Sequence, residues 1–250
     1  MNIINSSVHM KSEPSENSPL ETECLFGETI EVFDEYLDWI YCKLNTDNYC
    51  GWIKKKALGK LEKSTHRVLV KRSFIYADKN PKSHCLFYLP MGAKLVINNI
   101  QSGWAEMSLF NNKIKIGYIP SMHLAKLDHK VNDWVATAQL LNGTPYKWGG
   151  RNTIGIDCSA LLQLSYQTYG EDIPRNTSQQ VKLEKKQVQN INDLNRGCVI
   201  FWEGHVGIMV DKINCIHANS YQMKTTTEPL TNIIDRMGSN FKMLKMMDFN

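Results

Sequence analysis

The sequence lacks a long uninterrupted apolar stretch, and charge of one sign does not dominate it. No segment reaches the roughly 20 apolar residues of a membrane-spanning helix, and hydrophobic residues are 42% and charged residues 22% of the chain. The net charge of +4 comes from scattered lysines with short clusters at 54–56 and 185–186, which is typical of a solvated surface. We therefore expect a soluble globular protein with no membrane partner and no nucleic-acid partner.

The sequence also lacks the features of a secretory signal and of a disulfide framework. Residues 1–18 contain neither a basic segment followed by an apolar run nor a small-residue cleavage site. The seven cysteines are odd in number, include no Cys-x-x-Cys pair and show no zinc-ligand spacing. This pattern favours a reducing compartment. We therefore expect a cytoplasmic protein with no structural metal.

Helical spacing is absent from the first half of the chain. Residues 1–20 are polar and predict a tail or a loosely held segment. Short β-branched and aromatic runs separated by Gly, Asn and Asp turns then predict two small β-domains, at 21–60 and 66–127. With 250 residues the chain is long enough for two or three such domains, each with a core.

The two β-domains show an internal repeat. Gly27 precedes a strand-like run that closes on Gly51-Trp-Ile, and Gly92 precedes one that closes on Gly117-Tyr-Ile. This pattern resembles the bacterial SH3-like domain. The resemblance implies two small SH3-like β-barrels in succession.

The remainder of the chain, 128–250, has a different pattern. One predicted helix begins after Asp133 and stops at Gly143, and a second begins at Cys158 and stops at Gly170. Helices followed by an antiparallel sheet make this an α+β domain, and the fold class of the chain α+β. The runs that predict the sheet lie at 198–202, 205–210 and 214–218.

Three residues of this domain combine into a nucleophilic site. Cys158 is placed at the start of a helix, where the dipole and free N–H groups are expected to favour the thiolate. His205 and His217 lie on strands joined by a short turn, so antiparallel pairing is expected to bring them together. Taken singly, a buried cysteine or a histidine is more often structural than catalytic.

The motifs around these residues are more specific than the residues themselves. Together they resemble the NlpC-type cell-wall peptidase family, which has a papain-like fold, over about residues 130–220. The resemblance implies that Cys158 is the nucleophile, His205 the general base and His217 the orienting third member. It departs from the family at Cys198, where Asp is usual, and at Ala160, where Gly is common. The motifs are YKWGG at 146–150, GIDCSALL at 155–162, Pro174-Arg175, Gln179, Phe201, HVGI at 205–208 and IHA at 216–218.

The same resemblance implies substrate-binding roles. Tyr146 is expected to face the reacting carbonyl, and Asp157 and Ser159 to line the pocket. Two SH3-like domains without a secretion signal narrow the resemblance to the γ-D-glutamyl-L-diamino-acid endopeptidases, in which a first-barrel tyrosine matching Tyr49 and the aspartate matching Asp157 read a free amino end. From residue type alone, Tyr49 is a barrel-core aromatic. The candidates for binding the D-Glu carboxylate are Ser159, Thr177, Ser178 and Arg175.

These inferences predict a monomeric cysteine peptidase without a cofactor. Its substrate is expected to be L-Ala-γ-D-Glu-diaminopimelate with a free N-terminus, cleaved at the γ-D-glutamyl bond during recycling of murein peptides. Three alternatives stay open: an exported hydrolase acting on intact wall, a non-catalytic murein-peptide binding protein, and an acyltransferase or deamidase acting on another amide.

Overall fold

The protein forms two compact units, Met1–His129 and Lys130–Asn250. The structure is a computed structural model that describes residues 1–60, 62–109, 116–240 and 242–250. Mostly antiparallel sheets with few helices make up both units. Within these ranges, no helix combines the length and apolarity that crossing a bilayer requires.

The first part of unit one is built on a five-stranded antiparallel sheet in the order β3-β2-β6-β5-β4, and β1 pairs with β7 beside it. Alternating apolar residues direct one face of these strands into a common core, in which Ile3, Met10 and Ile53 are fully buried. The strands are β1 (Asn2–Ile3), β2 (Ser7–Lys11), β3 (Leu20–Leu25), β4 (Ile30–Tyr36), β5 (Trp39–Leu44), β6 (Cys50–Lys54) and β7 (Leu58–Gly59).

Residues 1–20 are not the loosely held tail that their polar composition predicted. They supply β1 and β2, and Ile3 and Met10 have no exposed surface. The loop after β2 is tied down because the Lys11 ammonium donates to the Ser18 carbonyl at 2.8 Å. The polar average composition of this segment did not reveal these strands, because apolar residues at every second position are enough to bury one face of a short strand.

The second part of unit one repeats the arrangement of the first. Its five-stranded antiparallel sheet has the order β10-β9-β14-β13-β12, and β11-β8-β15 form a three-stranded sheet. In both five-stranded sheets, chain order runs second, first, fifth, fourth, third, which agrees with the internal repeat in the sequence. That the second sheet is an SH3-like barrel stays a prediction. The strands are β8 (His66–Val68), β9 (Arg72–Tyr76), β10 (Cys85–Pro90), β11 (Lys94–Leu95), β12 (Ile97–Gln101), β13 (Trp104–Ser108), β14 (Ile116–Pro120) and β15 (Leu124–Lys126).

Unit two places helices against a six-stranded antiparallel sheet in the order β18-β23-β19-β20-β21-β22. Helix α2 is buried along its whole length and packs on β20, β21 and α1. A buried helix against a sheet is the α+β arrangement predicted for this region. The elements are α1 (Trp134–Leu140), β16 (Arg151–Asn152), β17 (Gly155–Ile156), α2 (Cys158–Tyr166), α3 (Thr177–Gln180), β18 (Lys186–Gln187), β19 (Cys198–Trp202), β20 (His205–Met209), β21 (Asn214–Asn219), β22 (Lys224–Pro229), α4 (Leu230–Met237) and β23 (Met243–Asp248).

The end of unit two contains elements that the sequence analysis did not predict, namely β22, α4 and β23. The signals were present. Residues 225–227 are three threonines, a β-branched run that favours a strand. Leu230, Ile233, Ile234 and Met237 have the i, i+3, i+4, i+7 spacing of an amphipathic helix.

The close approach of Gly27 to the backbone of Lys94 predicts that Gly27→Ala strongly lowers the free energy of unfolding. Gly27 has φ +78°, and an added Cβ would lie 1.9 Å from the Lys94 carbonyl oxygen. Gly103 has φ +81° but no described atom within 4 Å of an added Cβ. Gly103→Ala therefore carries only the left-handed backbone penalty of about 1 kcal/mol, and Gly27→Ala about 3 kcal/mol or more. Denaturant midpoints of the two variants measure this, and equal midpoints would contradict the packing argument.

Candidate active site

Cys158 is the first residue of α2, with Asp157 alone between it and β17, and a turn at 147–150 lies before these elements. Asp157 is the N-cap, and its side chain accepts a hydrogen bond from the Ala160 N–H at 2.9 Å. The preceding turn needs glycine, because a Cβ on Gly150 would lie 2.4 Å from the Gly155 carbonyl oxygen. The glycine-rich turn and the N-cap together hold Cys158 at a helix N-terminus, as the sequence predicted.

The carboxylate of Asp157 is buried and fully engaged. Arg175 donates to both of its oxygens, at 2.9 and 2.7 Å, and the Gly149 N–H donates at 3.0 Å. The Ser159 hydroxyl donates to the same carboxylate at 3.2 Å and accepts from Arg175 at 2.8 Å. Asp157 and Arg175 are 5% and 1% exposed, so they form a buried bidentate salt bridge.

This network changes the interpretation of three predicted substrate-binding residues. Asp157 was expected to face a substrate ammonium, but Arg175 already supplies its counter-charge. Arg175 and Ser159 were candidates for a substrate carboxylate, but both bond to Asp157. The sequence analysis named the three as substrate-binding candidates and did not predict that they would pair among themselves; their binding roles stay predictions. In this geometry they support the start of α2.

The thiol of Cys158 is protonated in this environment. Burial and, less strongly, the nearby Asp157 carboxylate raise its pKa to about 11, against the lowering effect of hydrogen bonds with the Val206 backbone and the Thr177 side chain. The helix start therefore does not yield the stable thiolate that the sequence predicted, because desolvation outweighs the donors around the sulfur. A resting thiol needs a neighbouring base to become a nucleophile.

His205 and His217 are brought together by strand register. Ile208 pairs with Ile216 on β20 and β21, and this register places the two histidines on the same face as diagonal neighbours. His205 Nε2 lies 3.0 Å from His217 Nδ1. His205 directly precedes Val206, whose backbone hydrogen-bonds the Cys158 thiol. The structure thus places His205 beside His217 and next in the chain to a residue that bonds the Cys158 thiol; the catalytic roles of the three residues stay predictions.

Both histidines are neutral near pH 7. Burial and, less strongly, the neighbouring His217 lower the pKa of His205 to about 3. Burial also lowers the pKa of His217, against the opposing effect of Glu228. His205 can therefore accept a proton only as the thiol gives one up, within the step that forms the new bond.

The sequence analysis missed Glu228 and Arg236, which adjoin this pair. Glu228 Oε1 lies 2.9 Å from His217 Nε2. Arg236 donates to both Glu228 oxygens, at 2.9 and 2.8 Å, and chiefly through this bond the pKa of Glu228 is lowered. Glu228 lies on β22 and Arg236 on α4. Because neither element was predicted, the sequence analysis could not place these two residues near His217.

Tyr146 and Thr177 also adjoin the nucleophile. Burial and, less strongly, the proximity of Cys158 and Asp157 raise the pKa of Tyr146 to about 12, so its hydroxyl remains a donor. The Thr177 side chain hydrogen-bonds the Cys158 sulfur, whereas Ser178 is exposed. Tyr146 is suited to the oxyanion role predicted for it; the binding roles predicted for Thr177 and Ser178 stay predictions.

Tyr49 belongs to the other unit of the chain. Its hydroxyl donates to Glu21 Oε2 at 2.7 Å, and its ring packs against the core of the first sheet. This packing agrees with the barrel-core interpretation of Tyr49. Its proposed reading of a substrate amino end stays a prediction.

No group of three or more His, Cys, Asp and Glu side chains is arranged to hold a metal ion in the part of the chain that the structure describes. The groups around Cys158 that can take part in acyl transfer are its thiol, the imidazoles and the hydroxyls.

Comparison with known proteins agrees with the fold. Residues 143–237 match the NlpC/P60 family, and residues 11–58 match the bacterial dipeptidyl-peptidase SH3 domain. A γ-D-glutamyl-L-lysine dipeptidyl-peptidase of Bacillus subtilis is 25% identical over 84% of this chain and 77% of its own. Dipeptidyl-peptidase 6 of Lysinibacillus sphaericus is 24% identical over 84% of each chain. The crystal structure of an NlpC/P60 family protein from Bacillus cereus covers 99% of both chains with a TM-score of 0.84 at 17% identity, which shows a shared fold.

The class of protein defined by this fold and these matches is a peptidase. More particularly, the chain carries an NlpC/P60 domain with a bacterial SH3 domain before it, and its relatives include γ-D-glutamyl-L-lysine dipeptidyl-peptidases.

The buried pair predicts that Arg175→Met is destabilising. The substitution leaves the Asp157 carboxylate buried without its counter-charge, so the free energy of unfolding should fall by about 3–5 kcal/mol. The matched double variant Asp157→Asn with Arg175→Met removes both charges and should recover part of this loss. Denaturant titration measures both variants. Unchanged stability together with a raised KM in Arg175→Met would instead identify Arg175 as a substrate ligand.

The raised pKa of Cys158 predicts slow alkylation. At pH 7, iodoacetamide should modify the exposed Cys50 and Cys85 before Cys158, because little of the buried thiol is ionised. Mass spectrometry of timed samples gives the order, and peptidase activity should decline with Cys158 modification alone. If Cys158 were alkylated first, the free protein would hold a thiolate.

Proposed function

We propose that this protein is a thiol peptidase that cleaves the bond between γ-D-glutamate and the following L-diamino acid in murein peptides with a free N-terminal L-Ala. The observation that carries the proposal is that Cys158 begins a helix packed on the strand of His205, whose Nε2 lies 3.0 Å from Nδ1 of His217 on the adjacent strand. The choice of the γ-D-glutamyl bond follows the relatives, which are named for γ-D-glutamyl-L-lysine. We propose diaminopimelate as the diamino acid of this chain's substrate.

The first chemical step joins the thiol and the base. His205 takes the Cys158 proton as the sulfur attacks the γ-carbonyl carbon, so a charged pair never has to persist in a buried resting site. The oxygen of the tetrahedral intermediate accepts hydrogen bonds from the Cys158 N–H and the Tyr146 hydroxyl. The elevated pKa of Tyr146 keeps that hydroxyl protonated.

The intermediate then collapses. The C–N bond breaks, protonated His205 gives its proton to the leaving amine of the diamino acid, and a thioester to Cys158 remains. Water attacks the thioester with His205 as general base, which releases L-Ala-D-Glu and restores the thiol. The two histidines return to their neutral, hydrogen-bonded state.

The preference for a free N-terminus is supported by the relatives rather than by Asp157. A dipeptidyl-peptidase removes two residues from a free amino end, and that word is in the names of the relatives. The Asp157 charge is neutralised by Arg175, so the proposal assigns the substrate ammonium to no residue of this network. Peptides attached to wall polymer through the L-Ala nitrogen lack the free end, and we propose that released peptides are the substrates.

Cleavage assays test this function. Wild-type protein should release L-Ala-D-Glu from the free diaminopimelate tripeptide with a higher kcat/KM than from the lysine tripeptide, the N-acetylated peptide or polymeric wall. Cys158→Ala should lose activity by about a thousandfold or more, whereas the matched Cys198→Ala, another buried cysteine of the same unit, should retain it. Equal cleavage of free and N-acetylated peptide would contradict the proposed specificity, and full activity of Cys158→Ala would falsify the thiol mechanism.

A further inference from the structure

A continuous series of hydrogen bonds runs from His205 across the sheet to α4. His205 Nε2 meets His217 Nδ1 at 3.0 Å, and His217 Nε2 meets Glu228 Oε1 at 2.9 Å. Arg236 holds both Glu228 oxygens. The Cys215–Glu228 register of β21 and β22 places Glu228 diagonally next to His217. The neighbouring strands β20, β21 and β22 thus contribute His205, His217 and Glu228 in turn, and Arg236 on α4 holds Glu228 in place.

Donor and acceptor chemistry gives this series one direction. Arg236 can only donate, so Glu228 is an acceptor at both oxygens and remains an anion. His217 Nε2 must therefore carry a proton, which leaves Nδ1 of the neutral ring as an acceptor. His205 Nε2 must then be the donor, and its Nδ1 is left with the lone pair.

One neighbouring group competes with this assignment. The Asn219 side-chain nitrogen lies 3.3 Å from His217 Nε2, where it would favour a lone pair. The Asn219 side-chain oxygen accepts a hydrogen bond from the Gln222 N–H at 2.8 Å. This bond keeps the amide from rotating by 180° to turn its oxygen toward His217. The Glu228 contact prevails because it is shorter by 0.4 Å than the Asn219 contact and carries a full charge.

We propose that Glu228, held by Arg236, is a positioning residue that fixes both histidine tautomers, leaves Nδ1 of His205 as the proton acceptor and stabilises the imidazolium formed during attack. The inference rests on the proposed function in taking His205 as the base. It accounts for the placement of a partly buried carboxylate beside His217, since an anion hydrogen-bonded to the second imidazole favours positive charge on the pair. Glu228 touches no reacting atom and acts through His217.

The surroundings of the series allow a chemical test. A cavity of about 350 Å³ is bordered by His205, His217, Trp202, Tyr221 and Arg236. When Glu228 is truncated, formate can enter from this cavity and occupy the space between His217 and Arg236. Glu171, which accepts from Lys185 at 2.8 Å elsewhere in the same unit, offers a matched ion pair for comparison.

The kinetic experiment compares wild type, Glu228→Ala, Glu228→Gln and Glu171→Ala. Glu228→Ala should lower kcat on the order of 10- to 100-fold with KM within about twofold, and formate should restore part of kcat. Glu228→Gln should lie between, because its amide oxygen still accepts from His217 without the charge. Glu171→Ala should match wild type and not respond to formate. A kcat for Glu228→Ala within twofold of wild type overturns the proposal, as does a loss that formate leaves unchanged.

A spectroscopic measurement separates this inference from the proposed function. Long-range ¹⁵N–¹H spectra of wild type at pH 7 should show protonated Nε2 and unprotonated Nδ1 in both rings, and Glu228→Ala should show mixed tautomers. Glu228→Gln retains the shape of the side chain and is used if the alanine variant does not fold; it should keep the wild-type tautomers with reduced kcat. Failure to cleave any peptide rejects the proposed function, whereas protonated Nδ1 in either ring of wild type rejects the role of Glu228.

Discussion

The buried contact between Asp157 and Arg175 is the interaction on which the site depends. It joins three segments that are separate in the chain: the glycine turn at 149–150, the first turn of α2, and the residues just before α3. Because the carboxylate caps α2 at its first residue, it also sets the position of the Cys158 sulfur. Arg175 offsets part of the effect by which the Asp157 charge opposes a thiolate one residue away.

Burial places the remaining groups in an uncharged resting state. It raises the pKa of Cys158 and lowers that of His205, so neither holds charge until a carbonyl is in place. A site of this kind depends on its hydrogen bonds rather than on a stored thiolate. Tyr146 provides a donor for the oxyanion, and the Val206 backbone and Thr177 side chain bond to the sulfur. Such a site separates charge only while the substrate is reacting.

The sheet converts spacing along the chain into a directed series of hydrogen bonds. Adjacent antiparallel strands carry His205, His217 and Glu228 at diagonal positions on one face. Arg236, on the short helix that follows β22, anchors the end of the series. Rigid strands hold imidazole rings in fixed orientation, and in unit one the same principle of alternation turns a polar leading segment into two strands with a buried face.

The sequence by itself determined the local parts of this protein. The Asp157 cap and the glycine-rich turn specified a helix beginning at Cys158, and the turn at 211–214 specified two antiparallel strands carrying His205 and His217, because caps and short turns act within a few residues. Only the tertiary structure decided that Asp157 pairs with Arg175, that the thiol is protonated, and that Glu228 adjoins His217. These depend on burial and on contacts between segments distant in the chain, and neither desolvation nor the meeting of such segments is encoded in any short stretch of residues.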